Sequence, residues 1–305
     1  MSLKLIDRLI FGCGRLAGGV SARASEDLLR RAFDLGFSAV DVAPSYGLGL
    51  AEQVVGQAVR DYPSVRVTTK VGMPVPKYGW AKSVARAVKR TIGPAAPRSF
   101  DDFVPIEPPE RYRSSYFAFE ELRLSVARSQ EALGRIDTLM LHNCGPAEAT
   151  PDLLGAFEAI AAEHDAAPGY GNQGYWDRVT DAAFPESYIS QVAVEPSWLA
   201  GRRPAATRAS IELHSLLPTA EYLARIDPAF ASKWQEASAA IPGSPSAARI
   251  AAILALVAVR VLGSRLVISS THEDRMTELL EAVHHFDGDG ALQDIAQIFD
   301  ADPTR

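Results

Sequence analysis

Short apolar runs ending on polar residues or glycine alternate with amphipathic stretches along most of this chain, and no other pattern constrains its fold as strongly. "FSAVDV" (37–42), "VRVTTKVG" (65–72), "RIDTLMLHN" (135–143), "ISQVAVEP" (189–196), "ASIELHSLL" (209–217) and "RLVISS" (265–270) read as short buried strands. Between them, "SEDLLRRAFDLG" (25–36) sets Leu28, Leu29, Ala32, Phe33 and Leu35 on one stripe, with Ser25 as the expected N-cap and Gly36 as the stop. "GLAEQVVGQAV", "SSYFAFEELRLSVARSQEALG", "PDLLGAFEAIAAE" and "RMTELLEAVHHF", the last read as a closing helix, repeat the helical spacing. A strand followed by a helix and another strand in one sheet implies parallel pairing. "RLIFGCG" (8–14) adds a first strand, and "PGYGNQ" (168–173), poor by propensity, is placed as a strand because the rhythm requires one. The count approaches eight βα units, which predicts a (β/α)₈ TIM barrel over residues 1–305 as a single domain. One segment breaks the rhythm. Residues 72–113, rich in proline and too long for an ordinary βα connection, read as an inserted loop or lid after the third strand.

Charge and cysteine usage narrow the partners. With 31 basic against 37 acidic residues the net charge is -6, which argues against nucleic acid and anionic membrane surfaces and favours a small molecule. "IAAILALVAV", bounded by Arg249 and Arg260, is too short to span a bilayer and suits a buried helix. Cys13 and Cys144 make no CxxC pair and no metal-ligand spacing, so a reduced, cytoplasmic protein with no metal site is expected; oligomeric state stays open. Cys144 follows His142 by two residues, but no orienting acid is evident for a Cys-His nucleophile, and a small buried side chain is the simpler reading.

In a parallel barrel the functional side chains gather at the carboxyl ends of the strands, where all βα loops open on one face. Asp41 ends the second strand, Lys70 sits near the end of "VRVTTK", His142 ends "DTLMLH", and Tyr46 stands on the loop after Asp41. Singly, each has an ordinary explanation as a cap, a solvated cation or a packing imidazole. Together they suit proton donation to a carbonyl oxygen. An ammonium in the apolar setting of "TTKVG" needs a carboxylate, which Asp41 supplies, and Lys70 beside Tyr46 should lower the tyrosine pKa by favouring the phenolate. His142 would hydrogen-bond the substrate oxygen and aim it. None of the four is a redox group, so a hydride has to come from a cofactor.

"DVAPSYG", "TTKVG" and "LMLHN", in this order, resemble the aldo-keto reductase family. That resemblance implies a barrel that binds a nicotinamide cofactor, NAD or NADP, with Asp41, Tyr46, Lys70 and His142 as the catalytic residues and a small carbonyl compound or sugar as substrate. "GYGNQ" and the insertion after Lys70 look like the branch that contains aldose, fucose and pyridoxal dehydrogenases. By the same likeness Asn172 and Gln191 would hold the nicotinamide carboxamide, His214 would take the place of the family's stacking aromatic with Ser215 beside it, and Ser269, Ser270 and Arg275 of "VISSTHEDR" would meet the adenosine end. Leu279 stands where an adenine-binding asparagine is common, and the usual lysine position reads Ser269, with Glu273 and Asp274 nearby; NAD is therefore expected to serve at least comparably with NADP. Substrate choice would fall to the insertion and to Arg15, Leu16, Tyr78 and Trp80.

Two other readings compete. "GCGRLA" after an apolar strand matches a Rossmann glycine turn with Asp41 as a ribose-binding acid, but "GGVSARAS" separates it from the first helix, and Lys70 and His142 would have no role. A catalytically silent nucleotide-binding barrel acting as a regulatory subunit would keep the fold and show no turnover.

Overall fold

The computed structural model describes residues 4–14, 16, 21–73, 115–175, 178–201, 210–286 and 289–301. Eight parallel strands close into a barrel in sequence order: β1 (Leu9–Gly12), β2 (Ala39–Asp41), β3 (Arg66–Val71), β4 (Thr138–His142), β5 (Ala167–Tyr175), β6 (Ile189–Ala193), β7 (Ile211–His214) and β8 (Arg265–Ile268). Closure comes from β1 pairing with β8, Phe11 beside Ile268. A closed barrel in this order excludes the Rossmann reading, whose sheet is open and doubly wound. The expected insertion lies outside the described residues from residue 74 onward, as do Arg15, Tyr78 and Trp80, whereas Leu16 is buried.

Central strands such as "TLMLH" are buried along their whole length because helices cover the outside while side chains fill the inside. The β3 alternation sorts chemistry by face. Thr69 points outward and donates to Glu52 on the helix Ala51–Val59 at 2.6 Å, while its neighbour Lys70 points into the barrel. "PGYGNQ" does form a strand. It lies within β5, where glycine lets the backbone pass close to its neighbours: a Cβ on Gly171 would sit 3.2 Å from Lys70 Cε.

The first helix runs Ala22–Asp34, four residues longer at its start than a cap at Ser25 allows. "SARAS" offers two serines one turn apart; Ser21 caps by accepting from the Ala24 N–H, and Ser25 is buried inside the helix. The apolar stretch "IAAILALVAV" forms most of the helix Pro245–Arg260, which is buried nearly all round against Pro228–Ala239, Glu273–His284 and Asp289–Asp300. Its closing Arg260 donates to the Trp198 and Leu199 carbonyls and pairs with Asp300. No helix among the described residues is long and apolar enough to cross a membrane. The helix Glu273–His284 does not close the chain, since Asp289–Asp300 follows it.

Candidate active site

Asp41 ends β2, Lys70 lies one residue before the end of β3, and His142 ends β4, so register alone brings three ionisable groups to one mouth. Tyr46 opens the 3₁₀ turn Tyr46–Gly49 that follows β2. Lys70 Nζ donates to Asp41 Oδ1, and both side chains are almost completely buried. The same ammonium lies 5.2 Å from the centre of the Tyr46 ring. Tyr46 in turn meets His142 edge to face, with ring centroids 6.0 Å apart.

Burial works against the Lys70 ammonium, but Asp41 and Tyr46 outweigh it and hold its pKa above the ordinary lysine value. For Tyr46 the balance differs from the sequence expectation of a lowered pKa. Burial pushes the phenol above its ordinary value, and Lys70 pulls it back only in part. A tyrosine in this setting stays protonated at neutral pH. Burial, then Lys70 and His214, drive His142 well below its usual value, so its imidazole is neutral and one ring nitrogen carries a hydrogen to donate. Cys13 and Cys144 are free and buried; burial raises both thiols, Cys144 up to about 12, which removes Cys144 as a nucleophile at neutral pH.

The buried pair continues as a chain of side chains around the barrel. Gln191 on β6 donates from Nε2 to Asp41 Oδ1 and to Glu212 Oε2 on β7, each at 2.9 Å. Arg265 on β8 donates to Glu212 Oε1 at 3.2 Å. Burial pushes the Glu212 carboxyl up, and the Arg265 guanidinium opposes it. Sequence reasoning passed over Glu212 and Arg265. The available signal was an acid in the middle of "ASIELHSLL", since a charge inside an apolar strand needs a partner.

Strands β5 to β8 supply the far wall of a cleft of about 580 Å³ whose near wall is Asp41, Tyr46, Lys70 and His142. Asn172, Gln191, His214, Ser215 and Ser269 all line it. Gly12 on β1 gives Ser269 its room, because a Cβ there would lie 2.6 Å from the serine Oγ. His214 is pinned at both ring nitrogens: Nε2 donates to the Asn172 carbonyl at 2.8 Å, which leaves Nδ1 to accept from the Ser215 hydroxyl at 2.9 Å. Ser215 takes a left-handed backbone, with φ of 57°, as the chain turns into the helix Leu216–Ile226. Asn172 Oδ1 is buried and has no hydrogen-bond partner among the described residues. Ser270 and Arg275 stand apart from this cleft. The Ser270 hydroxyl is used locally against the His272 backbone, and Arg275 is exposed on the first turn of Glu273–His284. Leu279 lines the cleft together with Ile250, Ile253 and Leu254, giving it an apolar end.

The model of the Aldo/keto reductase family matches residues 8–167. Among curated proteins, the D-threo-aldose 1-dehydrogenase of Pseudomonas sp is 30% identical over 203 residues, 64% of this chain and 57% of that protein. Aldo-keto reductase YhdN of Bacillus subtilis (strain 168) is 39% identical over 49 residues, 16% of this chain and 15% of that protein. Both matches thus span less than two thirds of the relative's own length. The barrel superposes on a glycerol dehydrogenase from Gluconobacter oxydans with a TM-score of 0.61, at 15% identity, covering 98% of this chain and 94% of that one. It also superposes on an aldo/keto reductase from Klebsiella pneumoniae in complex with NADP and acetate, with a TM-score of 0.58 at 18% identity, covering 97% and 92%. At these identities the superpositions speak for the fold alone.

Proposed function

The chain belongs to the aldo/keto reductase family, and we propose that it is an NAD(P)-dependent oxidoreductase interconverting a carbonyl and an alcohol, with Tyr46 as the proton donor and acceptor. The observation that carries this reading is the convergence of a buried Lys70–Asp41 pair, Tyr46 and a neutral His142 on one wall of the cleft. The opposite wall fits a nicotinamide ring. Asn172 Oδ1 is a buried acceptor without a protein partner, and a carboxamide NH₂ is the kind of group that would satisfy it.

A bound nicotinamide dinucleotide supplies the hydride. In the reducing direction Tyr46 Oη gives its proton to the substrate oxygen as the carbonyl becomes an alcohol. Lys70 stabilises the phenolate left behind, and Asp41 keeps the Lys70 ammonium charged and aimed. His142, neutral, donates a hydrogen bond to the same oxygen and fixes its approach. In the oxidising direction the phenolate takes the proton back. The substrate class we propose is an aldose or a small aromatic aldehyde, and the D-threo-aldose 1-dehydrogenase among the matched relatives supports the aldose. A reducing compartment such as the cytoplasm fits the two free, buried cysteines.

Turnover tests the reading. Absorbance of the reduced cofactor at its nicotinamide band, followed with NADH and NADPH against a panel of aldoses and aromatic aldehydes, should show consumption that depends on the carbonyl compound. Tight dinucleotide binding without turnover across the whole panel would leave a regulatory barrel instead.

A further inference from the structure

Lys70–Asp41 shares the barrel interior with a second ion pair that the proton step does not use. Glu212 on β7 is 1% exposed, and Arg265, its register partner on β8, donates to Oε1 at 3.2 Å. Arg265 Nε and Nη2 are buried and have no hydrogen-bond partner among the described residues, so the guanidinium is committed to Glu212. Gln191 Nε2 lies 2.9 Å from both Asp41 Oδ1 and Glu212 Oε2, which sets the two carboxylates one amide nitrogen apart. Four ionisable side chains thus cross the interior as two pairs placed carboxylate to carboxylate.

Electrostatics links the pairs. Besides burial, Arg265 and Gln191, the Glu212 carboxyl feels Asp41, which pushes it up, and Lys70, which draws it down. Such coupling is mutual, so the charge on Glu212 acts back on Asp41 and Lys70. Those two, with Cys13, are the groups that act electrostatically on the buried Tyr46 phenol, while His142 meets its ring edge to face. On the far side, Arg66 places a like charge near Arg265.

We infer that Glu212 and Arg265 are a positioning pair for the proton step: their charge balance, carried by Asp41 and Lys70, sets how readily Tyr46 gives up its proton. This rests on the proposed role of Tyr46. A carboxylate behind Asp41 makes a phenolate harder to form, and the Arg265 cation offsets it. Either charge without the other therefore displaces Tyr46, the cation alone toward easier ionisation and the carboxylate alone toward harder.

Two readouts on the full chain test this. The pH at which alcohol oxidation rises reports Tyr46 during turnover. Tyrosinate absorbance, taken as the difference between each protein and the same protein carrying Tyr46→Phe, follows its ionisation with neither cofactor nor substrate present. Glu212→Gln should move both to lower pH by about one unit, the size of a single charge acting across a protein interior. Arg265→Gln should move both to higher pH. The double variant, which removes both charges, should return toward the wild-type midpoint, a recovery that loss of packing would not produce. Either folded single variant suffices: an unmoved midpoint overturns the inference, as does a double variant displaced as far as Glu212→Gln. Absence of turnover in every protein, the wild type included, would instead overturn the oxidoreductase reading, and the absorbance titration would still decide the role of the pair.

Discussion

Lys70 Nζ donates to Asp41 Oδ1 across the β2–β3 neighbourhood, with side chains only 2% and 5% exposed. Each charge is tolerable inside the barrel because the other is there. Removing one partner of such a pair costs about 3–5 kcal/mol, because the survivor is left charged and unpaired in low dielectric. Lys70→Met and Asp41→Asn should therefore each lose stability and activity, and the double variant should lose less than the sum. Urea unfolding and steady-state rates on the four proteins give the cycle; additive losses would mean that the two residues act independently.

The pH dependence follows from Tyr46. Its phenol is held above the ordinary tyrosine value, so it remains a proton donor through neutral pH and is lost only as pH rises through that raised value. Carbonyl reduction should hold level from neutral pH upward and then decline. Alcohol oxidation, which needs the phenolate, should rise over the same alkaline range. Because burial drives His142 well below its usual value, neither profile should bend near the ordinary histidine range. Rates in both directions under saturating cofactor check this, and a reductive rate that falls between pH 6 and 8 would contradict it.

Cofactor choice is set by what meets a 2′-phosphate. Among the described residues lining the cleft the cation is Lys70, already paired with Asp41, while Glu221 adds a carboxylate. Arg275 lies exposed on its helix, and Glu273 beside it ion-pairs with Arg31 at 3.5 Å. A phosphate gains affinity chiefly from charge-assisted hydrogen bonds, so NADH is expected to bind at least comparably with NADPH. Dissociation constants for both at one ionic strength decide the point: NADPH binding more than tenfold tighter would contradict it.

The barrel was legible because most of its strands are buried and read as apolar runs, and because Asp41, Lys70 and His142 stand at or beside the ends of those runs, where a parallel barrel gathers its chemistry. Other features depend on long-range contacts that periodicity does not encode. Ser21 and Ser25 offer equivalent capping chemistry, and only tertiary packing, which buries Ser25, separates them. The helices Leu216–Ile226 and Pro228–Ala239 are punctuated by Pro218 and Pro228, which sit harmlessly in their first turns yet break the apparent pattern. Glu212 and Arg265 are 53 residues apart, so their pairing needs the β7–β8 register. The direction of the Tyr46 shift turns on burial, which the adjacency of a lysine does not reveal.

Tyr46→Phe tests the account most directly, because it deletes one hydroxyl and leaves the ring, the Lys70–Asp41 pair and the far wall of the cleft in place. General acid catalysis contributes about 10² to 10⁴ in rate, so kcat for carbonyl reduction should fall by that order while the dissociation constant for the reduced dinucleotide stays within about twofold. A variant that keeps the wild-type rate would show that Tyr46 only packs against His142 and that the proton comes from elsewhere.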